Sequence, residues 1–178
     1  MDNNLLGGNI MEFEEIIRKR TAVRKFCGKK IEQELLNKIL EAGRLAPTAK
    51  NNQPIKIYAV NSNEGIEKID RASKCRYGAQ TVFIICGNKE EAYHKEDYTT
   101  YEMDSCIVGT HMMLEATNLG IDNIWVEAFD EKTLRAEFDI PEELTPVLLM
   151  PLGYKTEDCP INPLHDKRKS LEEIVEYK

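Results

Sequence analysis

The sequence has no CxxC pair and no cluster of cysteine with histidine. Its five cysteines (Cys27, Cys75, Cys86, Cys106, Cys159) are odd in number and widely spaced, and its three histidines (His94, His111, His165) stand apart. That spacing speaks against a zinc site and against a disulfide framework, so a reducing cytoplasm is the expected compartment. Apolar runs such as residues 82–86 stop far short of a bilayer span. Residues 1–10 lack the charged start and apolar stretch of a signal peptide and, with Gly7-Gly8, are expected to form a disordered lead-in. There is no Ser/His/Asp or Cys/His constellation, and hence no indicated side-chain nucleophile. Positive charge is in the minority: 24 lysines and arginines against 31 acidic residues, a net charge of −7, argue against a nucleic-acid or anionic-membrane surface. Any cationic site must be local. Residues 20–30 are the densest candidate, although a basic cluster alone is more often a solvated helix end.

What is present reads as one ordinary globular domain: 178 residues with 42% hydrophobic content suffice for a real core. Phe13, Ile16 and Ile17 recur at helical spacing and predict a helix over 11–19, acidic at its start and basic at its end. An extended or turning segment follows to Gly28. A second helix is expected over 32–45, stopped by Pro47, and then a polar loop over 47–54 between two prolines. Strands are expected at 55–60, 81–86, 123–129 and 147–153, with helices at 64–72 and 130–138, the latter capped by Asp130 and ended by Pro141. The segment 88–98 is polar enough to be a lid. The longest helical pattern, 101–119, is apolar nearly all round through Ile107, Val108, Met112, Met113, Leu114, Ala116 and Leu119, and stops at Gly120. Such a helix lies at a domain centre or a subunit interface. The tail is poor in apolar residues until a capping box at Ser170 starts a last helix. Alternating strands and helices would ordinarily suggest a doubly wound parallel sheet. Yet no GxGxxG or P-loop joins a strand to a helix, so the usual phosphate cradle of such folds is missing.

Four separated pieces, in order, resemble one family. Residues 20–26 (Arg-Thr-Ala-Val-Arg-Lys-Phe) resemble an R-R-S-x-R-x-F element, and residues 47–54 (Pro-Thr-Ala-Lys-Asn-Asn-Gln-Pro) a P-S-x-x-N-x-Q-P loop. Residues 120–129, ending Trp-Val-Glu-Ala-Phe, resemble a strand that passes a flavin ring. Gly153-Tyr154 and then residues 168–175 resemble a closing G-Y and R-x-x-L-E-E-I-V segment. By these motifs the chain resembles the nitroreductase family of FMN-dependent oxidoreductases, from Met11 onward. The resemblance implies an α+β fold, a mixed sheet flanked by helices, in an intertwined homodimer. It implies one FMN-binding domain over 11–178 with a C-terminal arm over about 155–178.

The resemblance also implies roles. Arg20, with Thr21 and Ala22 beside it, would bind the phosphate and ribityl end of FMN, joined by Arg168 from the tail; the family serine is replaced by Ala22, which removes one hydroxyl donor. Arg24 would stabilise the charge that reduction places at N1 and the C2 carbonyl. Pro47, Thr48, Ala49 and Asn51 would come from the other subunit, while Glu127 and Ala128 would sit beside N5, with the Ala128 N–H donating to it. Lys74 and Arg76 are weaker candidates for the pyrimidine edge. NADH or NADPH would deliver hydride, and a nitroaromatic, quinone or other conjugated acceptor would take it by a ping-pong cycle. No metal is implied. Alternatives on the same reading are a flavin store or sensor without turnover, a dehalogenase or flavin-modifying relative, and a flavin-free structural dimer.

Overall fold

The computed structural model describes residues 12–178; the lead-in expected over 1–10, and Met11, lie outside them. Its centre is a four-stranded sheet in the order β1-β2-β6-β5, formed by β1 (Ile55–Val60), β2 (Thr81–Asn88), β5 (Asp122–Asn123) and β6 (Leu144–Gly153). A two-stranded ribbon of β3 (His94–Lys95) and β4 (Tyr98–Thr99) stands apart from it, at the end of the segment expected as a lid. The helices are α1 (Phe13–Lys19), α2 (Gln33–Arg44), α3 (Asn63–Ala72), α4 (Tyr101–Asn118), α5 (Glu131–Phe138) and α6 (Leu171–Ile174).

The β2 run is apolar at successive positions because both of its faces are covered. Val82, Ile84 and Cys86 join the core beneath α3 and α5, while Phe83 and Ile85 join the core beneath α2 and α4. The molecule is therefore α+β, with helices on both sides of a sheet. A doubly wound parallel sheet does not form: β1–β2, β2–β6 and β5–β6 all pair antiparallel. Val60 pairs with Val82, so β2 starts at the edge where β1 ended. The excursion through α3 and residues 73–80 returns the chain to its departure point, which a parallel crossover would not do. The mixed character of the sheet comes from a single parallel bridge, Ala22 to Asn123.

The strand expected over 123–129 is interrupted. Asn123 pairs with Leu152, and Val126 exchanges both backbone hydrogen bonds with Leu149, so the register is continuous. Between them Ile124 N–H donates to Pro151 O at 3.2 Å, but Pro151 has no N–H to return, and the ladder breaks. Phe129 N–H then turns back to Glu127 O at 3.0 Å, and Asp130 caps α5 through Thr133 N–H. Asp139, in the left-handed region at φ 49°, ends α5 before Pro141 is reached.

Helix α4 buries Val108, Met112 and Ala116 against α2 and the sheet, and Gly120 closes it at φ +72°. Its all-round apolar character has a second consequence: Met103 and Ile107 remain exposed on the outer side. Phe13 and Ile17 of α1 and Leu171 and Ile174 of α6 are exposed as well. The capping box at Ser170 forms as expected, on a helix that buries none of its residues.

Candidate cofactor site

The segment after α1 is held by its apolar residues and displays its cations. Arg20 N–H closes the helix on Ile16 O at 3.0 Å, and the chain then leaves in an extended conformation. Val23 and Phe26 are buried in the core; Val23 N–H donates to Asn123 O and Phe26 N–H to Tyr77 O. The positions between them, Arg24 and Lys25, face outward. Lys25 is taken by an ion pair with Asp158.

Arg20 is partly buried and lies within electrostatic reach of Arg168, from the far end of the chain. Burial first, and then the like charge of Arg168, hold the Arg20 guanidinium below its ordinary pKa. Arg168 is brought there by the tail turn: the His165 ring Nε2 lies 3.2 Å from Arg18 O, and Arg168 donates to Leu164 O and Lys167 O. Neither guanidinium has a carboxylate partner among the described residues, whereas Arg18, Arg44, Arg71, Arg76 and Arg135 all do. Two converging cations without an anion fit the phosphate end of FMN, because a monoester of charge near −2 removes their repulsion and accepts bidentate hydrogen bonds.

The turn over 73–78 joins the two halves of this surface. Ser73 Oγ donates to Ala128 O at 2.7 Å and accepts from Cys75 N–H at 3.1 Å. At its other end Tyr77, at φ 55°, accepts from Phe26 N–H and sets its hydroxyl beside Arg24. That hydroxyl is pushed above the ordinary phenol range by its hydrogen bond with Cys75 and by burial, against the opposing pull of Arg24. Arg76 is not a ligand candidate: it makes a bidentate pair with Asp70 at 2.7 Å and donates to Ala79 O. Lys74 donates to Asp70 O. Glu127 and Ala128 are exposed; the Glu127 carboxylate accepts from Trp125 Nε1–H at 2.7 Å, and the Ala128 N–H has no acceptor among the described residues. Ala22 is the bridge residue to Asn123, but the bond is made by the Val23 N–H, and the Ala22 N–H has no backbone acceptor among the described residues.

The loop over 47–53 forms a separate group. Lys50, Asn51 and Gln53 all have positive φ, an unfavourable set for residues with side chains. It is held by surrounding bonds: Thr48 Oγ1 accepts from Gln53 N–H, Asn52 donates to Glu91 O, and Ala49 N–H donates to Asp104 Oδ1 at 2.8 Å. Asp104, only 2% exposed, accepts also from Thr100 Oγ1 at 2.8 Å. No hydrogen bond or ion pair among the described residues joins this loop to Arg20, Arg24 or Ala128. An apolar groove of about 300 Å³ between α2, β1 and α4 touches the expected site residues only at Thr48.

Asp104 has one signal in the sequence, a carboxylate in a largely apolar helical pattern. Replacing it with Asn removes one of two acceptors from a buried site and is expected to destabilise the fold by about 1–3 kcal/mol. Denaturant titration checks the loss, and amide exchange should accelerate at Ala49 before it does in the sheet. Ser73 and Tyr77 carried no sequence signal, since only the folded turn places them.

The nitroreductase family profile matches residues 17–77 and 73–154, and the chain belongs to that family. A protein of Methanothermobacter thermautotrophicus, provisionally named NADH dehydrogenase/NAD(P)H nitroreductase, is 27% identical over 166 residues, covering 88% of this chain and 84% of its own. The crystal structure of a nitroreductase family protein from Clostridium difficile superposes with a TM-score of 0.88 at 34% identity, covering 94% of this chain and 99% of that one. A protein of Exiguobacterium sibiricum crystallised in complex with FMN shares the fold, with a TM-score of 0.82 at 19% identity, over 94% of this chain and 98% of its own. Among the described residues no helix is long and apolar enough to cross a membrane, and no three His, Cys, Asp or Glu side chains are grouped so as to hold a metal ion.

Proposed function

We propose that this protein is an FMN-dependent oxidoreductase that passes reducing equivalents from NADH or NADPH to a nitroaromatic, quinone or other conjugated acceptor in a ping-pong cycle. The observation that carries the reading is that the His165 ring, 3.2 Å from Arg18 O, ties the tail bearing Arg168 to the segment bearing Arg20, while neither arginine has a carboxylate partner among the described residues. Family membership and the FMN held by the Exiguobacterium protein on the same fold support it. When bound, FMN supplies the hydride chemistry; the chain's residues bind it, orient it and set the charge around it. Arg20, with Thr21 and Ala22 beside it, and Arg168 hold the phosphate end. Arg24 places a cation where reduction builds negative charge. Ala128 offers its unpaired N–H to N5, with Glu127 adjacent.

The working unit in this reading is a homodimer of one domain over 11–178 with an arm over about 155–178, in the cytoplasm. Exposed apolar side chains on α1, α4 and α6 supply the contact. Pro47, Thr48, Ala49 and Asn51 then complete the flavin pocket of the second subunit, which gives the strained loop a use.

An absorption spectrum of the purified protein, taken before and after anaerobic addition of NADH or NADPH, tests the proposal. The expected result is a flavin spectrum that bleaches. A flavin spectrum that persists would indicate a binding protein without turnover, and a colourless protein that takes up no added FMN would overturn the assignment.

A further inference from the structure

The interrupted edge strand carries one more device. Trp125 and Glu127 flank Val126, whose side chain is buried in the core on the opposite side and whose backbone is doubly bonded to Leu149. Extended geometry then puts the indole and the carboxylate on the same face. They meet there, with the Trp125 Nε1–H donating to Glu127 Oε1 at 2.7 Å, within the range of a charge-assisted hydrogen bond. The ring is also packed against α4. A Cβ built at Gly109 of α4 would lie 3.0 Å from its Cζ3 and 3.4 Å from its Cη2, so the indole occupies the space that only a glycine leaves above the helix. The Cys106 thiol, on the same stretch of α4, is raised by burial and next by the charge of Glu127, which places the carboxylate on the α4 side.

An exposed glutamate would ordinarily sample several rotamers, and its charge would be averaged and screened by solvent. We propose that Trp125 is a positioning residue that pins the Glu127 carboxylate against α4, fixing a negative charge beside the Ala128 edge of the flavin site. The inference rests on the FMN reading above. A fixed negative charge at that edge opposes the negative charge that reduction brings, and so offsets part of the effect of Arg24 at the other pole. Its consequence is a lower reduction potential, one that favours passing electrons onward.

The test has two arms, because Trp125 is the sole tryptophan of the chain and reports on itself. In flavin-free protein, E127A, which removes the acceptor that a glutamine would keep, is expected to change the position and yield of the tryptophan emission. Unchanged emission would mean that the contact is absent and would overturn the proposal without touching the FMN reading. In FMN-loaded protein, E127Q is expected to raise the midpoint potential. W125F keeps the ring over Gly109 but loses the N–H, and it should raise the potential by a shift no larger than that of E127Q. Adding W125F to E127Q should then produce no further shift. A W125F shift that simply adds to that of E127Q, or a W125F potential equal to wild type, would overturn the pinning role. A wild-type protein that takes up no FMN would overturn the parent reading and this proposal with it, whatever the emission shows.

Discussion

Replacing Arg20 with Ala is expected to weaken FMN binding by about 100-fold, which corresponds to roughly 2.8 kcal/mol at about 1.4 kcal/mol per tenfold. The size follows from the loss of a charge-assisted, partly desolvated guanidinium–phosphate contact. Fluorescence quenching of FMN during titration measures it directly. The flavin-free protein should lose much less. Its Arg20 is a cation held below its ordinary pKa by burial and by Arg168, so its charged form is disfavoured by folding. The sign is that of a depressed cation: the penalty is in force at every pH below the arginine range and lifts only as pH rises toward it. Removing the charge removes the penalty, while an anion bound between the two arginines offsets it. Thermal shift on adding FMN should therefore shrink sharply in R20A, even where the unliganded midpoint hardly moves. Arg20→Lys restores charge but not the planar fork, and only part of the affinity should return. An unchanged dissociation constant in R20A would remove Arg20 from the site.

The second large effect is expected at Arg24. Arg24→Ala should lower the midpoint potential of bound FMN and slow its reduction by NADH or NADPH by about 100-fold, the scale seen when a preorganised charge-stabilising donor is removed from an active site. The folded chain presents Arg24 on an exposed segment but does not leave it loose, because Val23 and Phe26 anchor the backbone on either side and Tyr77 stands beside the guanidinium. FMN affinity should fall far less than in R20A, since Arg24 is assigned to the ring and not to the phosphate. Potentiometric titration separates the two variants: R20A changes the dissociation constant with little change in potential, and R24A the reverse. A wild-type potential in R24A would sink the assignment of Arg24 to the reducible edge.

Much of the local structure was legible because it depends on neighbours in sequence. Helical spacing of Phe13, Ile16 and Ile17, the continuous apolar run of β2, the Asp130 cap and the Ser170 capping box all appear where periodicity and capping chemistry put them. Strand direction was not legible in the same way. Alternation of strands and helices suits a parallel sheet, and nothing local reports that Val60 and Val82 meet at one edge. The break after Asn123 likewise required knowing that Pro151 lies opposite Ile124.

For the candidate site the division is similar. The order of four motifs named the family, and with it Arg20, Arg24, Glu127, Ala128 and Arg168 as expected site residues. Tertiary structure alone decided that the tail bearing Arg168 docks on the segment bearing Arg20, that Arg76 pairs with Asp70, and that Trp125 donates to Glu127. It also showed the loop over 47–53 to be strained and anchored on Asp104. The physical reason is one of range. Caps, periodicity and turn chemistry act over a few residues, so sequence determines where elements begin and which faces are apolar. Charge pairing and hydrogen bonding across the site join segments far apart in the chain, and which cation keeps a free charge for a ligand is settled only when every carboxylate has found its partner in the folded molecule.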